Sequence, residues 1–360
     1  VVPGFPLQSL TLALLTSRAS KMQQTLNFLA FHHYQLIEYL YKNEMMRYIL
    51  LALIFLNSVL ANAQVKSSFT IVPLGVKGGI DESNLSAYML APKNSKDYIC
   101  LDAGTLHAGI EKAIQNKIFR DSADVVLKTY IKAYLISHPH LDHVSGLIIN
   151  SPADTTKSIY GTQFCLSRLQ NSLFTWQVWA NFGDKGEQPK LNKYHYKDLV
   201  VGVTTPIEHT TMSVQAFVLS HSSPFQSTAF LIKNNDDYVL YLGDTGADSI
   251  EHSNNLHQLW QQVAPLIKSK MLKGIFIEVS YTNEQPLNKL FGHLTPSLLM
   301  EEMNELALLA GVDAMKNFPI IITHIKPEGG GEKKVHAELL HDNPLQLKLI
   351  FAEQGKQISL

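Results

Sequence analysis

Short apolar runs alternate along this chain with segments of helical spacing. Phe69-Thr70-Ile71-Val72-Pro73-Leu74 and Leu85-Ser86-Ala87-Tyr88-Met89-Leu90 read as paired strands around a Gly78-Gly79 turn, and Tyr98-Ile99-Cys100-Leu101 as the next strand. Residues 107–119 place Ile110, Ala113, Ile114 and Ile118 on one helical face. Tyr130 to Ser137 reads as a mostly buried strand, and His143-Val144-Ser145-Gly146-Leu147-Ile148-Ile149 as the opening of a helix. The second half repeats the style, with strands near 214–219, 227–233, 238–242 and 274–279, a helix over 296–310, and a strand at 319–323 before Gly329-Gly330-Gly331. No short-period repeat is present. Two halves of strands followed by helix suit two sheets packed face to face with helices outside.

The chain before this pattern reads differently. Residues 1–44 show no domain pattern and are expected to be a non-native upstream extension, disordered or absent. Met45-Met46-Arg47, the apolar run Tyr48 to Leu56 and the small-residue ending Ala61-Asn62-Ala63 have the form of a secretory signal peptide over 45–63. The run falls short of the roughly 20 apolar residues of a membrane span, so no span is expected in the mature form. Translation is expected to start at Met45 or Met46, leaving residues 64–360 as one α/β catalytic domain in the periplasm or secreted.

Composition narrows the partners. A formal net charge of −1 and a pI near 7.0 give no broad attraction to nucleic acid. Cys100 and Cys165 are too few for a disulfide framework. Cys100, inside an apolar strand, reads as a buried thiol, although an exported protein permits a bond between the two. A homodimer stays open.

The chemistry is concentrated in His138-Pro139-His140-Leu141-Asp142-His143, four metal-ligand side chains within six residues on a strand-to-helix loop. Imidazole and carboxylate are ligands that zinc takes, and manganese or iron suit them too. One tetrahedral ion cannot easily use all four from so tight a turn, whereas two ions sharing a site can. Three later strands each end in a further candidate ligand: Ser220-His221, Gly243-Asp244 and Thr323-His324. Open α/β sheets place ligands at the carboxyl ends of their strands.

The set His138, His140, Asp142, His143, His221, Asp244 and His324 resembles the dinuclear site of the metallo-β-lactamase fold, an αββα sandwich of two mixed sheets with helices outside. Within that fold, His-Pro-His-Leu-Asp-His-Val-Ser-Gly resembles the signature of class II 3′,5′-cyclic-nucleotide phosphodiesterases. Gly78 to Tyr88, Ile99 to Thr105, Phe291-Gly292-His293-Leu294-Thr295-Pro296 and Thr323-His324-Ile325-Lys326-Pro327 are similar to that family as well. One departure is Trp179-Ala180-Asn181-Phe182, where the family leads us to expect Pro after Trp.

The resemblance implies one zinc on His138, His140 and His221, a second on Asp142, His143 and His324, and Asp244 bridging. Two Zn²⁺ against two carboxylates and a bridging hydroxide leave a single positive charge, which matches a phosphodiester better than a phosphomonoester. The implied reaction is hydroxide attack at phosphorus that breaks the 3′ P–O bond of cyclic AMP, with cyclic GMP as the second candidate, and yields the 5′-monophosphate. Asp142 is also expected to orient the nucleophile. His293, just before a helix capped by Thr295 with Pro296 at its first position, resembles the extra histidine of phosphodiesterase branches; it is expected to bind the phosphoryl group or protonate the leaving oxygen, with Glu278 orienting it. Trp176 and Trp179, in the aromatic segment 164–182, are expected to stack a purine, and Asn84 and Thr105 to approach the substrate. The rival readings are a tRNase Z-like phosphodiesterase, a β-lactamase or lactonase, and a non-catalytic binder; the last is disfavoured because all seven ligand positions are filled.

Overall fold

The computed structural model of the protein describes residues 7–42, 48–49, 51 and 68–360, which belong to two units, residues 1–66 and 67–360. In the first, α1 (Leu7–Lys42) is a single helix of 36 residues. This stretch, expected to be disordered or absent, is helical here: no Gly or Pro interrupts it and Leu and Gln are abundant, which favours helix. The signal-peptide segment 45–63 lies outside the described residues apart from Tyr48, Ile49 and Leu51. Among the described residues, no helix is long and apolar enough to cross a membrane.

The second unit is built from strands whose two faces are both apolar. Its first sheet runs in the order β14 (Ile358–Ser359), β1 (Phe69–Gly75), β2 (Ala87–Pro92), β3 (Tyr98–Leu101), β4 (Ile131–Leu135), β5 (Lys157–Gly161) and β6 (Tyr194–Asp198). The second runs β13 (Lys348–Phe351), β12 (Pro319–Thr323), β11 (Leu272–Glu278), β10 (Asp237–Leu242), β9 (Gln226–Asn234), β8 (Ser213–Ser220) and β7 (Thr205–Pro206). Successive strand residues point to opposite faces, so each strand feeds two cores. Ile71, Ile99, Leu135, Val239 and Tyr241 meet in the core between the sheets. Their neighbours Val72, Cys100 and Tyr134 pack outward under α2 (His107–Gln115), α3 (Leu141–Asn150) and α4 (Gln163–Arg168). Leu240 and Leu242 pack outward under α5 (Asn255–Lys268), α6 (Pro296–Ala310) and α7 (Gly331–His341). The layers are therefore helix, sheet, sheet, helix, as expected.

Parallel pairing fixes where the chemistry collects. β3 to β6 are parallel to one another, and so are β10 to β13. β8 is antiparallel to β9, which is antiparallel to β10, so β8 and β10 end at the same edge. That edge carries the loops after β4, β8, β10, β11 and β12. Helix α6 begins as read from sequence: the Thr295 hydroxyl accepts from Leu298 N and Pro296 takes the first position. Helix α2 stops at Gln115, short of the expected 119, because Lys117 turns to φ 62°. Cys100 and Cys165 are both buried free thiols.

Candidate metal centre and active site

Every expected ligand comes from one of these strand ends. His138 and His140 lie between β4 and α3, Asp142 and His143 sit in the first turn of α3, and His221, Asp244 and His324 follow β8, β10 and β12. The donors converge. His140 Nδ1 lies 3.0 Å from His138 Nε2 and 3.3 Å from His221 Nε2. His324 Nε2 lies 3.1 Å from Asp142 Oδ2. Asp244 stands between the two groups: Oδ2 is 3.7 Å from His138 Nε2, 3.8 Å from His221 Nε2 and 3.3 Å from His324 Nε2, and Oδ1 is 3.3 Å from His143 Nε2. The triads His138/His140/His221 and Asp142/His143/His324 each bring their ligand atoms within 4.8 Å of one another.

Hydrogen bonds behind the rings set which nitrogen faces inward. His143 Nδ1 donates to Asp102 Oδ2 at 2.8 Å, and His221 Nδ1 to the Gly292 carbonyl at 2.8 Å. A hydroxyl has one proton. Ser137 Oγ gives its own to Asp102 at 2.7 Å and so accepts from His138 Nδ1 at 3.0 Å; Ser280 Oγ gives its own to Glu278 at 2.7 Å and so accepts from His324 Nδ1 at 3.0 Å. His138, His221 and His324 are thereby left with an Nε2 lone pair aimed at the cluster; His143 offers one when metal displaces the proton that burial opposes but Asp244, Asp102 and Asp142 favour. The buried Nε2 of His143 has no hydrogen-bond partner, and His140 and His138 bring two ring nitrogens face to face. This is a poor arrangement for hydrogen bonding and a suitable one for divalent metal. Burial lowers the pKa of His138 and His221 and pushes His140 down to about 4, which keeps those rings neutral as ligands must be. Burial works against ionising Asp142, but His143 and His324 outweigh it and hold the carboxyl below the usual range. Gly78 lets the β1–β2 loop close over the cluster, because a Cβ there would lie 2.3 Å from the His324 ring. Next to it, Gly79 N donates to Asp142 Oδ2 at 3.0 Å.

Asp102 was missed in the sequence. It is fully buried and gathers four donors: Ser137 N and Oγ, His143 Nδ1, and Tyr241 OH at 2.6 Å. Its signal was an Asp directly after the apolar strand 98–101, but its partners lie between 35 and 139 residues away.

His293 and Glu278 meet as expected. His293 Nδ1 lies 2.7 Å from Glu278 Oε1, its ring centroid is 4.9 Å from that of His221 and 5.3 Å from that of His324, and both side chains are buried. Burial opposes a charged ring here, but the Glu278 carboxylate raises the His293 pKa above its ordinary value.

Comparison with known proteins accords with this geometry. The family described as cAMP phosphodiesterases class-II matches residues 66–339. A 3′,5′-cyclic-nucleotide phosphodiesterase of Aliivibrio fischeri is 42% identical over 316 residues, spanning 84% of this chain and 96% of that protein. The chain belongs to the class II cAMP phosphodiesterase family. In fold, the class II chain is similar to unliganded yeast PDE1, with a TM-score of 0.73 at 23% identity over 82% of this chain and 100% of that one. It is also similar to the metallo-β-lactamase fold protein YhfI from Bacillus subtilis, with a TM-score of 0.54 at 16% identity over 82% and 100%.

The residues expected to contact substrate make contacts of their own within this class II chain. The Trp179 indole donates to Ser151 Oγ just past the end of α3 and packs on the core under the first sheet. At 1.5 Å per residue that is about 13 Å along the helix from Asp142. Trp176 is 43% exposed and donates to the Pro189 carbonyl. Aromatic density there anchors the 174–193 excursion, and neither indole is brought to the cluster. Asn84 and Thr105 act on the loop. Asn84 Oδ1 accepts from Val76 N, and Thr105 Oγ1 accepts from Leu85 N while donating to the Glu82 carbonyl. These bonds brace the turn that carries Gly78 and Gly79.

Proposed function

We propose that the protein hydrolyses 3′,5′-cyclic AMP, with cyclic GMP as a second substrate, to the nucleoside 5′-monophosphate. The observation that carries the reading is the buried Glu278–His293 pair set against a cluster whose Nε2 lone pairs converge, in a chain of the class II family. His138, His140 and His221 would hold one ion and Asp142, His143 and His324 the other, with Asp244 shared between them. Bound divalent ions, zinc in this reading with manganese or iron suited to the same donors, supply positive charge against the phosphodiester and a hydroxide near neutral pH.

The side chains of this protein do the rest. Asp142, held by Gly79 N, orients the nucleophile for in-line attack. His293 donates through Nδ1 to Glu278, which leaves Nε2–H to reach the phosphoryl group and protonate the departing 3′-oxygen. His221, His324 and Asp244 are buried, which strengthens each of these contacts.

Incubation of the metal-loaded protein with cyclic AMP, with and without chelator, tests the reading. Chelator-sensitive formation of 5′-AMP is expected; a folded, zinc-loaded protein that leaves both cyclic nucleotides intact would overturn it. Export to the periplasm or medium is part of the same proposal and rests on the Met45–Ala63 pattern. Terminal sequencing of exported protein should return a start near Gln64, and a start upstream of Met45 would remove it.

A further inference from the structure

The five ligand histidines are held in two different ways. Behind His138, His143, His221 and His324, Nδ1 meets a serine hydroxyl, a carboxylate or a carbonyl. His140 is the exception. Its nitrogen contacts among the described residues are both at Nδ1, 3.0 Å from His138 Nε2 and 3.3 Å from His221 Nε2. Nδ1 is therefore the atom it turns to the cluster, and no residue among those described accepts from its Nε2. His140 is also the exposed member of its triad.

What meets the His140 ring is Phe225. The two rings stack with centroids 4.5 Å apart and planes 12° from parallel. Phe225 also stands nearly perpendicular to His138 and His221, at 6.2 and 6.0 Å, so one phenyl ring touches every member of one triad. Its place is fixed by the turn after β8, where His221 N donates to the Phe225 carbonyl at 3.4 Å and Phe225 N donates to the Ser222 carbonyl at 3.2 Å. Phe164 of α4 packs on it at 5.1 Å and 84°. Phe164 is held in turn by Arg168, whose guanidinium lies 3.5 Å from the ring centre and donates to the Phe164 carbonyl at 2.8 Å. The strand end that supplies His221 thus also supplies the ring that lies on His140.

We propose that Phe225 is a positioning residue for His140, doing by stacking what a hydrogen bond does for the other four ligand rings, and that it thereby sets the affinity of one metal position and not the other. The proposal rests on the two-ion reading of the centre. The torsion that turns an imidazole about its stem is broad, so an exposed ring with no partner behind it must be ordered when the ion binds. A flat aromatic face fixes the ring plane beforehand, and such pairs contribute beyond the area they bury. Phe225 has no polar atom to offer a cation, so its effect on affinity passes through the ligand rings it touches. Among the described residues its ring contacts reach His138, His140, His221 and Phe164, and neither His143 nor His324. The second triad is held by hydrogen bonds instead.

Stepwise zinc titration of the full chain against a competing chelator reads two dissociation constants. Phe225→Ala should raise one of them about tenfold and leave the other within about twofold, as for loss of a group that orients a ligating histidine. Phe225→Tyr should restore the affinity because the flat ring remains, whereas Phe225→Leu, apolar but not planar, should not. Two single-site backgrounds assign the weakened position. In His324→Ala, which leaves the first triad whole, Phe225→Ala should still raise the remaining constant; in His140→Ala, which leaves the second triad whole, it should not. Unchanged constants in Phe225→Ala, an equal rise in both, full affinity in Phe225→Leu, or the reverse assignment would overturn the proposal. A lower Tm of the chelated protein with both constants unchanged would make Phe225 a packing residue only. Uptake of fewer than two ions by wild type would overturn the two-ion reading itself, and the proposal with it, before any variant is compared.

Discussion

Nδ1 of His293 lies 2.7 Å from Oε1 of Glu278, with both groups buried beside the metal cluster. The carboxylate raises the histidine pKa, and the histidine lowers that of the carboxylate. Glu278→Gln removes the negative charge, so the His293 pKa drops and less of the ring is protonated at neutral pH. The alkaline limb of the kcat profile should therefore move to lower pH, and part of the lost turnover should return on acidification. A profile that keeps its limb in Glu278→Gln argues that His293 does not deliver a proton.

His293→Ala tests the same group without reference to pH. General acid catalysis contributes typically about 10²- to 10⁴-fold, and a loss in kcat of that order is expected. His293 is not needed in either of the two ligand triads, so metal content should remain near two per chain. Loss of metal along with turnover would make it a ligand instead.

Asp102 supports the centre from behind. Its Oδ2 accepts from Ser137, His143 and Tyr241, and its Oδ1 from Ser137 N. Asparagine can satisfy only one of these two faces, because its amide nitrogen would point at donors. Asp102→Asn should weaken metal binding by about 10- to 100-fold, the usual effect of losing a group that orients a ligating histidine. It should also cost about 1–3 kcal/mol of folding stability from donors left unsatisfied. Metal titration and denaturant unfolding read the two effects separately; an unchanged metal affinity would limit Asp102 to a structural part.

A methyl group at Gly78 would lie 2.3–2.7 Å from three atoms of the His324 ring. That ring is pinned by Ser280 on one side and faces Asp142 on the other, so the loop must give way. Gly78→Ala should cost about 1–3 kcal/mol by overpacking and reduce metal occupancy on the Asp142/His143/His324 side. Gly79→Ala offers a contrast: its Cβ would meet nothing within 4 Å, and only its φ of 85° opposes substitution. Equal metal content in Gly78→Ala and wild type would rule out the clash.

The ligands were legible because they are marked locally. His138 to His143 is a dense run, and His221, Asp244 and His324 each close an apolar strand, so parallel strand ends carry them to one edge. Apolar runs such as those of β1 and β10, alternating with segments of helical spacing, likewise pointed to the layered fold. Asp102 was not legible, since one Asp after a strand looks like any turn residue until β4 and β10 bring Ser137 and Tyr241 to it. Trp176 and Trp179 show the converse: aromatic density says that surface is buried or stacked, not against what. Phe225 gives no sign in sequence that its ring lies flat on His140. The helix α1 shows how far local propensity alone carries a segment that lacks a domain pattern.

Metal removal should register in stability as well as turnover. Without a cation, Asp142 and Asp244 face His324 Nε2 from 3.1 and 3.3 Å, and the buried His143 Nε2 makes no hydrogen bond, with Asp244 Oδ1 3.3 Å away. A ligand that binds only the folded state stabilises it by about 2.7 kcal/mol at a hundred times its Kd. For a domain of this size that corresponds to a Tm shift of roughly 4–5 °C. Chelation of the metal-loaded protein should lower Tm by about that amount, and zinc should restore it. The variants His140→Ala and His324→Ala, one from each triad, should each recover only part of the shift. A Tm that ignores chelator after metal analysis confirms removal would mean that the folded cluster does not depend on metal, and the converging lone pairs would then need another explanation.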